Sequence, residues 1–316
     1  GRDDGRPPSI GSLLAFPLAV LRRWFARSAA PDILHLGDMA IWPLGLLAAL
    51  SRGRTRVVIS AHGTDVAYQR RGGLRGRLYG AYLRLGGRVS RATVIANSGA
   101  TRDAAAEAGW PGARVVPLAT DAFADEDDGT VAAAHNGRVL FCGRLVKRKG
   151  FAWFARAVAP VLPQEIGVDV VGTIWDEDER AALAAPRVDY LGAMGHDALP
   201  ALYRAALCVI VPNIETADGE YEGFGLVACE AAAAGGVVLA ARRDGLLDAV
   251  IDGETGVLLP SGDAEAWRAA IADVASWPAD RRRDFTARAM ATARERYSWE
   301  RASRDTVDVY REVLSG

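Results

Sequence analysis

"LCVIVPNIETADGEYEGFGLVACEAAAAGG", residues 207–236, reads as a strand, a polar loop and a helix in succession. Residues 207–213 form a short apolar run with β-branched residues, the pattern of a strand buried on both faces. The loop ends at Glu222, and the helix opens near Gly225 with small and apolar residues on almost every side. A helix that apolar belongs inside a domain, yet Glu230 sits within it, separated from Glu222 by seven residues. In a parallel α/β sheet this loop lies at the carboxyl edge of the strands, where ligands bind.

The chemistry follows from residue types. The free N–H groups of Gly225, Leu226 and Val227 point out of the helix start, which attracts a phosphate. Gly223 and Gly225 carry no side chain and let a ligand approach the backbone. Two carboxylates would repel a phosphate they touched, so they should accept hydrogen bonds from hydroxyls on either side of it. That places a sugar at Glu222 and a second polyol, such as ribose, at Glu230. An anion between two hydroxyl-bearing rings describes a nucleotide sugar. Read alone, Glu222 also fits a helix cap.

The same alternation extends along the chain. Residues 32–36, 55–60 and 92–98 read as strands, with 40–50 as a crossover helix and a further helix after residue 98. Residues 122–137, "AFADEDDGTVAAAHNG", are polar and acidic and read as a linker. Strands then recur at 138–144, 167–173, 187–192, 207–213 and 236–241, with helices after residue 149, over 177–184 and 197–206, and over 264–276, 280–296 and 299–314. The simplest construction is two Rossmann-like domains facing across a cleft: residues 1–125, residues 137–296, and a terminal helix over 297–316 packing back toward the first.

In "LFCGRLVKRKGF", residues 140–151, Arg144 and Lys149 lie on a loop at the carboxyl edge of the Glu222 sheet. They offer charge to a leaving diphosphate without a metal. Lys147 and Arg148 beside them read as a solvated basic loop.

Composition narrows the class. Of 316 residues, 38 are Lys or Arg and 39 Asp or Glu, so the basic excess of a nucleic-acid binder is missing. Cys142, Cys208 and Cys229 are scattered among apolar neighbours and read as buried core residues, in keeping with a reducing cytosol. No apolar run reaches the ~18 residues of a membrane span. The segment "SIGSLLAFPLAVLRRWFARSAA", residues 9–30, carries its arginines after the apolar part, unlike a signal peptide. It reads as a helix packed on its own domain, with contact to an anionic membrane surface as the alternative. The "DEDE" of residues 176–179 fits a helix start better than a metal site, and "RRR" at 281–283 reads as a solvated face. His35 and Asp38 lie near a strand end on the acceptor side.

"FCGRLVKRKG", "YLGAMGHDALPALYRAALCVIVPN", "EGFGLVACEAAAAGGVVLAA" and "VIDGETGVLLP" follow one another at intervals that resemble the carboxy-terminal domain of family-four retaining glycosyltransferases. "DILHLGD", "VVISAHGTDV", "VIANSGATRD" and "VVPLATD" resemble that family's amino-terminal domain more loosely. The resemblance covers roughly residues 30–312 and implies the GT-B fold, a nucleoside-diphosphate sugar donor, a saccharide, lipid-linked or small-molecule acceptor, and no metal cofactor. It implies that Arg144 and Lys149 bind the donor diphosphate and that Glu222 faces the transferred sugar. Gly223, Phe224 and Gly225 would contact that sugar through their backbone, and the Leu226 and Val227 amides the phosphate. Glu230 would hold the ribose, Met194 would lie at the base, and His62 would project from the other domain.

Family members also begin with a strand and a glycine-rich loop, which the residues before Asp32 do not supply. The amino-terminal domain is therefore expected to be incomplete, with "PPSIGS" (residues 7–12) as the other candidate for that element. Gly172 stands without the second glycine usual just after it. The activity expected is hexose transfer with retention, in the cytoplasm or at the inner face of the membrane. A non-catalytic nucleotide-sugar-binding subunit and a GT-B epimerase are the alternatives. No Gly-x-Gly-x-x-Gly follows a strand, which disfavours a dehydrogenase.

Overall fold

The computed structural model of the chain describes residues 10–26, 30–51, 54–121 and 135–316. The expected linker over 122–137 lies outside them up to residue 134, as do residues 7–9 of "PPSIGS". Ile10–Ser12 of that segment open a helix and not a strand.

The amino-terminal half contains α1 (Ile10–Phe25), β1 (Ile33–Leu36), β2 (Arg56–Ala61), α2 (Thr64–Ala67), α3 (Gly73–Val89), β3 (Thr93–Ala96), α4 (Gly99–Glu107) and β4 (Arg114–Val115). Its four strands are parallel in the order β1-β2-β3-β4. The crossover expected as a helix over 40–50 is a 3-10 segment, Met39–Ser51, kinked at Ile41 and interrupted by Pro43, which removes an N–H and disfavours α-helix before it. Sequence periodicity missed α3, whose five glycines lower helix propensity. Two of them serve packing: a Cβ on Gly86 would collide with Trp42 and Trp110, and one on Gly87 with the Gly109 carbonyl. In α1 the half-buried residues Pro17, Val20, Leu21 and Trp24 recur at helical spacing and mark one inward face, while Phe16, Leu18 and Phe25 are exposed.

The second half holds β5 (Arg138–Cys142), α5 (Phe151–Ala157), β6 (Gly167–Val171), α6 (Glu177–Ala182), β7 (Val188–Gly192), α7 (Leu199–Ala205), β8 (Cys208–Val211), α8 (Leu226–Ala233), β9 (Val238–Ala241), α9 (Leu246–Ala249) and β10 (Val257–Leu259). It closes with α10 (Ala264–Ala275) and α11 (Ala279–Arg296), and α12 (Trp299–Ser315) ends the chain. All six strands are parallel, in the order β10-β9-β8-β5-β6-β7. The order reverses direction between β5 and β8, and that switch point is where a doubly wound sheet opens a crevice for ligand. Every residue of β8 and β9 is buried, as a sheet covered on both faces requires.

The α12 helix leaves this domain and crosses to the other. Its Val309 packs with Val58, Ile95 and Val116 of the first sheet, and Arg301 donates to the Pro117 and Leu118 carbonyls at 2.9 and 3.0 Å.

Two acidic and basic runs behave differently from their reading. Arg282, the middle of "RRR", is buried and donates to the Ala206 and Leu207 carbonyls at 2.6 and 2.8 Å, tying α11 to the end of α7; only its neighbours face solvent. Within "DEDE", Asp176 caps α6, as a helix start demands. Glu179, however, is buried and accepts from the Ala152 N–H at the start of α5 at 2.9 Å. Among the described residues no three His, Cys, Asp or Glu side chains gather as a metal cluster.

Candidate functional site

The loops after β5 and β8 meet at the switch point and enclose a cavity of about 450 Å³. Arg144, Arg148, Lys149, Met194, Glu222, Val227 and Glu230 line it. Six of these seven are residues the sequence singled out, brought together from the loops after β5, β7 and β8 and from α8.

After β5 the chain turns through Lys147–Lys149 before α5, and this turn buries Lys149 while leaving Arg144 exposed beside the Trp175 ring, 5.5 Å from its centroid. Lys149 Nζ lies 2.6 Å from Glu222 Oε2, and Asn213 at the end of β8 donates to the same oxygen at 3.0 Å. Burial pushes the Glu222 carboxyl up, but Lys149, Arg148 and Asn213 outweigh it and hold its pKa below the ordinary value. Glu222 therefore stands as a carboxylate already partnered by a cation through Oε2.

Glu230 projects from the second turn of α8, where it accepts from the Tyr203 hydroxyl at 3.2 Å. Burial raises its pKa, and the Tyr203 bond offsets that only in part. The Tyr203 hydroxyl also reaches Cys142 Sγ at 3.4 Å, so Cys142 is a half-buried part of the cavity wall and not a plain core residue. At the helix start Gly225 has a φ of 107°, and its carbonyl takes the Ala228 N–H. No described group accepts from the Leu226 or Val227 N–H. Met194 is exposed at the mouth of the cavity.

The glycine turn lies where the two domains touch. A Cβ on Gly223 would stand 2.4 Å from the His62 carbonyl, and one on Gly63 2.7 Å from Gly223 Cα. The Gly223 carbonyl accepts from Ser98 Oγ at 2.7 Å and Thr101 Oγ1 at 3.3 Å, so it faces the amino-terminal domain. The Phe224 side chain is buried against Tyr297. His62 is exposed and lines an adjoining cavity of about 290 Å³ with Ser60, Asn97, Leu226 and Trp299. The start of α8 thus separates two cavities, with Val227 in one and Leu226 in the other. His35 is held by Tyr310 at 2.5 Å and Ser60 at 2.9 Å, and Asp38 accepts from the Ala40 N–H.

Three residues of the site escaped the sequence reading. Arg148, read as solvated, is buried, and its Nε has no partner among the described residues. Asn213 and Tyr203 were also missed. A polar residue closing the apolar run "LCVIVPN" was a usable signal for Asn213; nothing local distinguishes Tyr203 or Arg148.

Residues 136–276 match the family profile described as Glycosyl transferases group 1, and residues 3–123 match Glycosyltransferase Family 4. A D-inositol 3-phosphate glycosyltransferase of Salinispora tropica is 40% identical over 193 residues, 56% of this chain and 38% of that protein. An uncharacterized glycosyltransferase of Methanocaldococcus jannaschii is 30% identical over 186 residues, 55% of this chain and 44% of that protein. The chain spans less than half the length of these curated relatives. Among solved structures, sucrose-phosphate synthase from Thermosynechococcus elongatus superposes with a TM-score of 0.71 at 23% identity, covering 96% of this chain and 79% of that one. HepE from Anabaena, solved with UDP and glucose, gives 0.71 at 20% identity, covering 98% and 84%. The two glycosyltransferase profiles, group 1 and family four, together account for both domains, and these superpositions give the chain the GT-B fold.

Proposed function

We propose that the protein transfers a hexose from a nucleoside-diphosphate sugar to a hydroxyl acceptor with retention at the anomeric carbon. The observation that carries this reading is the Lys149–Glu222 pair, 2.6 Å apart in a cavity that also holds Arg144 and Glu230. In the proposed complex the diphosphate meets the start of α8 through the Leu226 and Val227 amides, with Arg144 and Lys149 on its flanks. Glu230 accepts the ribose hydroxyls and Met194 borders the base. Glu222 faces the hexose, with the turn Gly223–Gly225 beside it and His62 across the cleft. The bond from the anomeric carbon to the phosphate oxygen breaks while the acceptor oxygen bonds that carbon on the same face. The acceptor proton passes to the departing phosphate oxygen, whose charge the two cations and the helix start stabilise. No metal is assigned a role, since the protein supplies the positive charge.

Relatives named for inositol 3-phosphate and neighbours solved with UDP or UDP-glucose support a nucleotide-sugar donor and a hydroxylated acceptor for this chain. We assign it to the cytoplasm, at the inner face of the membrane when the acceptor is lipid-linked. No described helix is long and apolar enough to cross a membrane.

The deciding experiment is a thermal-shift screen of UDP, GDP, ADP and their hexoses, followed by assay of nucleotide release with and without acceptors. Stabilisation by a nucleotide and acceptor-dependent release, with NMR showing an unchanged anomer, is the expected result. Binding without release would make the chain a non-catalytic subunit. Interconversion of donor sugars without an acceptor would make it an epimerase.

A further inference from the structure

The α3 helix wears its apolar residues on the outside. Leu74, Leu78, Leu85 and Val89 are 73, 61, 52 and 49% exposed. At about 100° per residue they share an arc of roughly 60° and form one stripe along the helix. Arg77, Arg84 and Arg88 border the stripe on one side and Arg75 on the other. All four arginines are exposed, and none is ion-paired among the described residues. The opposite face, Gly76, Gly80, Leu83 and Gly86, is the buried one, with Gly76 and Gly80 against Gln69 and Gly86 against Trp42 and Trp110.

Scattered exposed leucines are ordinary, but a continuous row on a helix whose glycines face the core is not. The charge around the row is one-sided. From Val66 to Arg102 the chain contains eight arginines and no Asp or Glu, although the whole protein is close to neutral. The neighbouring segment Met39–Ser51, joined to α3 by the Tyr82 hydroxyl on the Ala40 carbonyl at 2.6 Å, adds exposed Leu46 and Leu50. A second helix repeats the composition: α1 exposes Phe16, Leu18 and Phe25 and ends with Arg22 and Arg23.

We propose that the outer face of α3 is a docking surface for an anionic phospholipid membrane, lying in the plane of the interface. The leucine stripe matches the apolar boundary beneath the headgroups, and the flanking arginines match the headgroup phosphates. A nucleic acid would pair the arginines but leave the leucines in water. A second copy of the chain would bring two unpaired arginine rims together. The surface names the source of the lipid-linked acceptor in the transfer reading, which it therefore extends. Vesicle binding needs no turnover, so the two stand or fall separately.

The test is co-sedimentation of the whole chain with vesicles of phosphatidylcholine alone or mixed equally with phosphatidylglycerol. The expected result is binding to the anionic vesicles that weakens with salt. Leu78→Ser with Leu85→Ser, and separately Arg77→Glu with Arg84→Glu, should each reduce that binding at least tenfold while circular dichroism stays unchanged. Absence of binding, or binding that survives both pairs of substitutions and so resides on another surface such as α1, overturns the proposal. A dimer by light scattering that the leucine substitutions convert to monomer overturns it in favour of self-association.

Discussion

The hydroxyl of Tyr221 lies 3.3 Å from the carbonyl oxygen of Gly63, although the two residues belong to different domains. Tyr221 comes from the loop after β8, yet it is buried with the core of the amino-terminal domain, its hydroxyl also 3.3 Å from Thr101 Oγ1 and its ring beneath Arg70. The next residue is Glu222, whose carboxylate points the other way, to Lys149. One peptide unit thus links the position of the amino-terminal domain to the charge pair of the site. Tyr221→Phe keeps the ring and removes the hydroxyl, so the fold and UDP affinity should persist. Turnover should fall about tenfold, the scale of one lost hydrogen bond of roughly 1–1.5 kcal/mol. Calorimetry with UDP and steady-state assays check this, and unchanged kcat would show that the link is structural only.

Lys149 and Glu222 are both nearly buried, so removing one leaves the other uncompensated. Lys149→Met should cost about 3–5 kcal/mol by denaturant unfolding at pH 7. Adding Glu222→Gln should restore a large part of that loss and restore no activity. The Glu222 pKa is depressed, so its contribution to stability is complete above the ordinary carboxyl range and fades as pH falls through its folded value. The stability gap between wild type and Glu222→Gln should therefore shrink on acidification.

Glu230 has the opposite sign. Its raised pKa means that the unfolded carboxyl ionises first as pH climbs, and the folded state loses relative stability from the usual 4.5 upward. Glu230→Gln should leave the unliganded protein at pH 7.5 as stable as wild type or more so. Nucleotide affinity should drop about 10- to 100-fold, because a charge-assisted hydrogen bond to the ribose is worth roughly 1.5–3 kcal/mol. Thermal shift without ligand and titration with UDP separate the two effects.

Glu179 makes a third pH-dependent case, remote from the cavity lining. Burial pushes its carboxyl up to about 7, with the Ala152 N–H holding it back. Stability should decline between pH 4.5 and about 7 as the unfolded form releases its proton first. Glu179→Gln keeps an acceptor for Ala152 and should flatten that decline by about 2 kcal/mol, read from unfolding at pH 5 and pH 8.

The alternation of apolar runs and helical periods laid out most of the carboxy-terminal domain. The strand at 208–211 and the helix after Gly225 fall where buried periodicity and glycine placed them. Local pattern failed where packing overrode propensity. In α3, Gly86 stands where Trp42 and Trp110 leave no room for a Cβ, and Gly87 where the Gly109 carbonyl leaves none. The "RRR" and "KRK" runs look alike and solvated in sequence, but Arg282 and Arg148 are each buried by a partner element far along the chain. Glu222 and Glu230, which line the cavity, stood out in the sequence because a carboxylate in an apolar segment is costly without a partner. Their partners Lys149, Asn213 and Tyr203 come from three other elements, and no local pattern connects them.

The sequence alone determined the strand–helix alternation of the carboxy-terminal domain, the place of the loop after β8 at the carboxyl edge of its sheet, and the cavity-lining Arg144, Lys149, Glu222 and Glu230. Those depend on periodicity and residue chemistry, which are local. Only the tertiary structure decided that Lys149 neutralises Glu222, that Tyr221 anchors this turn in the other domain, and that α3 turns its leucines outward. These are contacts between elements up to some 160 residues apart, and they are fixed by how the two domains pack, where side-chain volume and buried charge must be satisfied together.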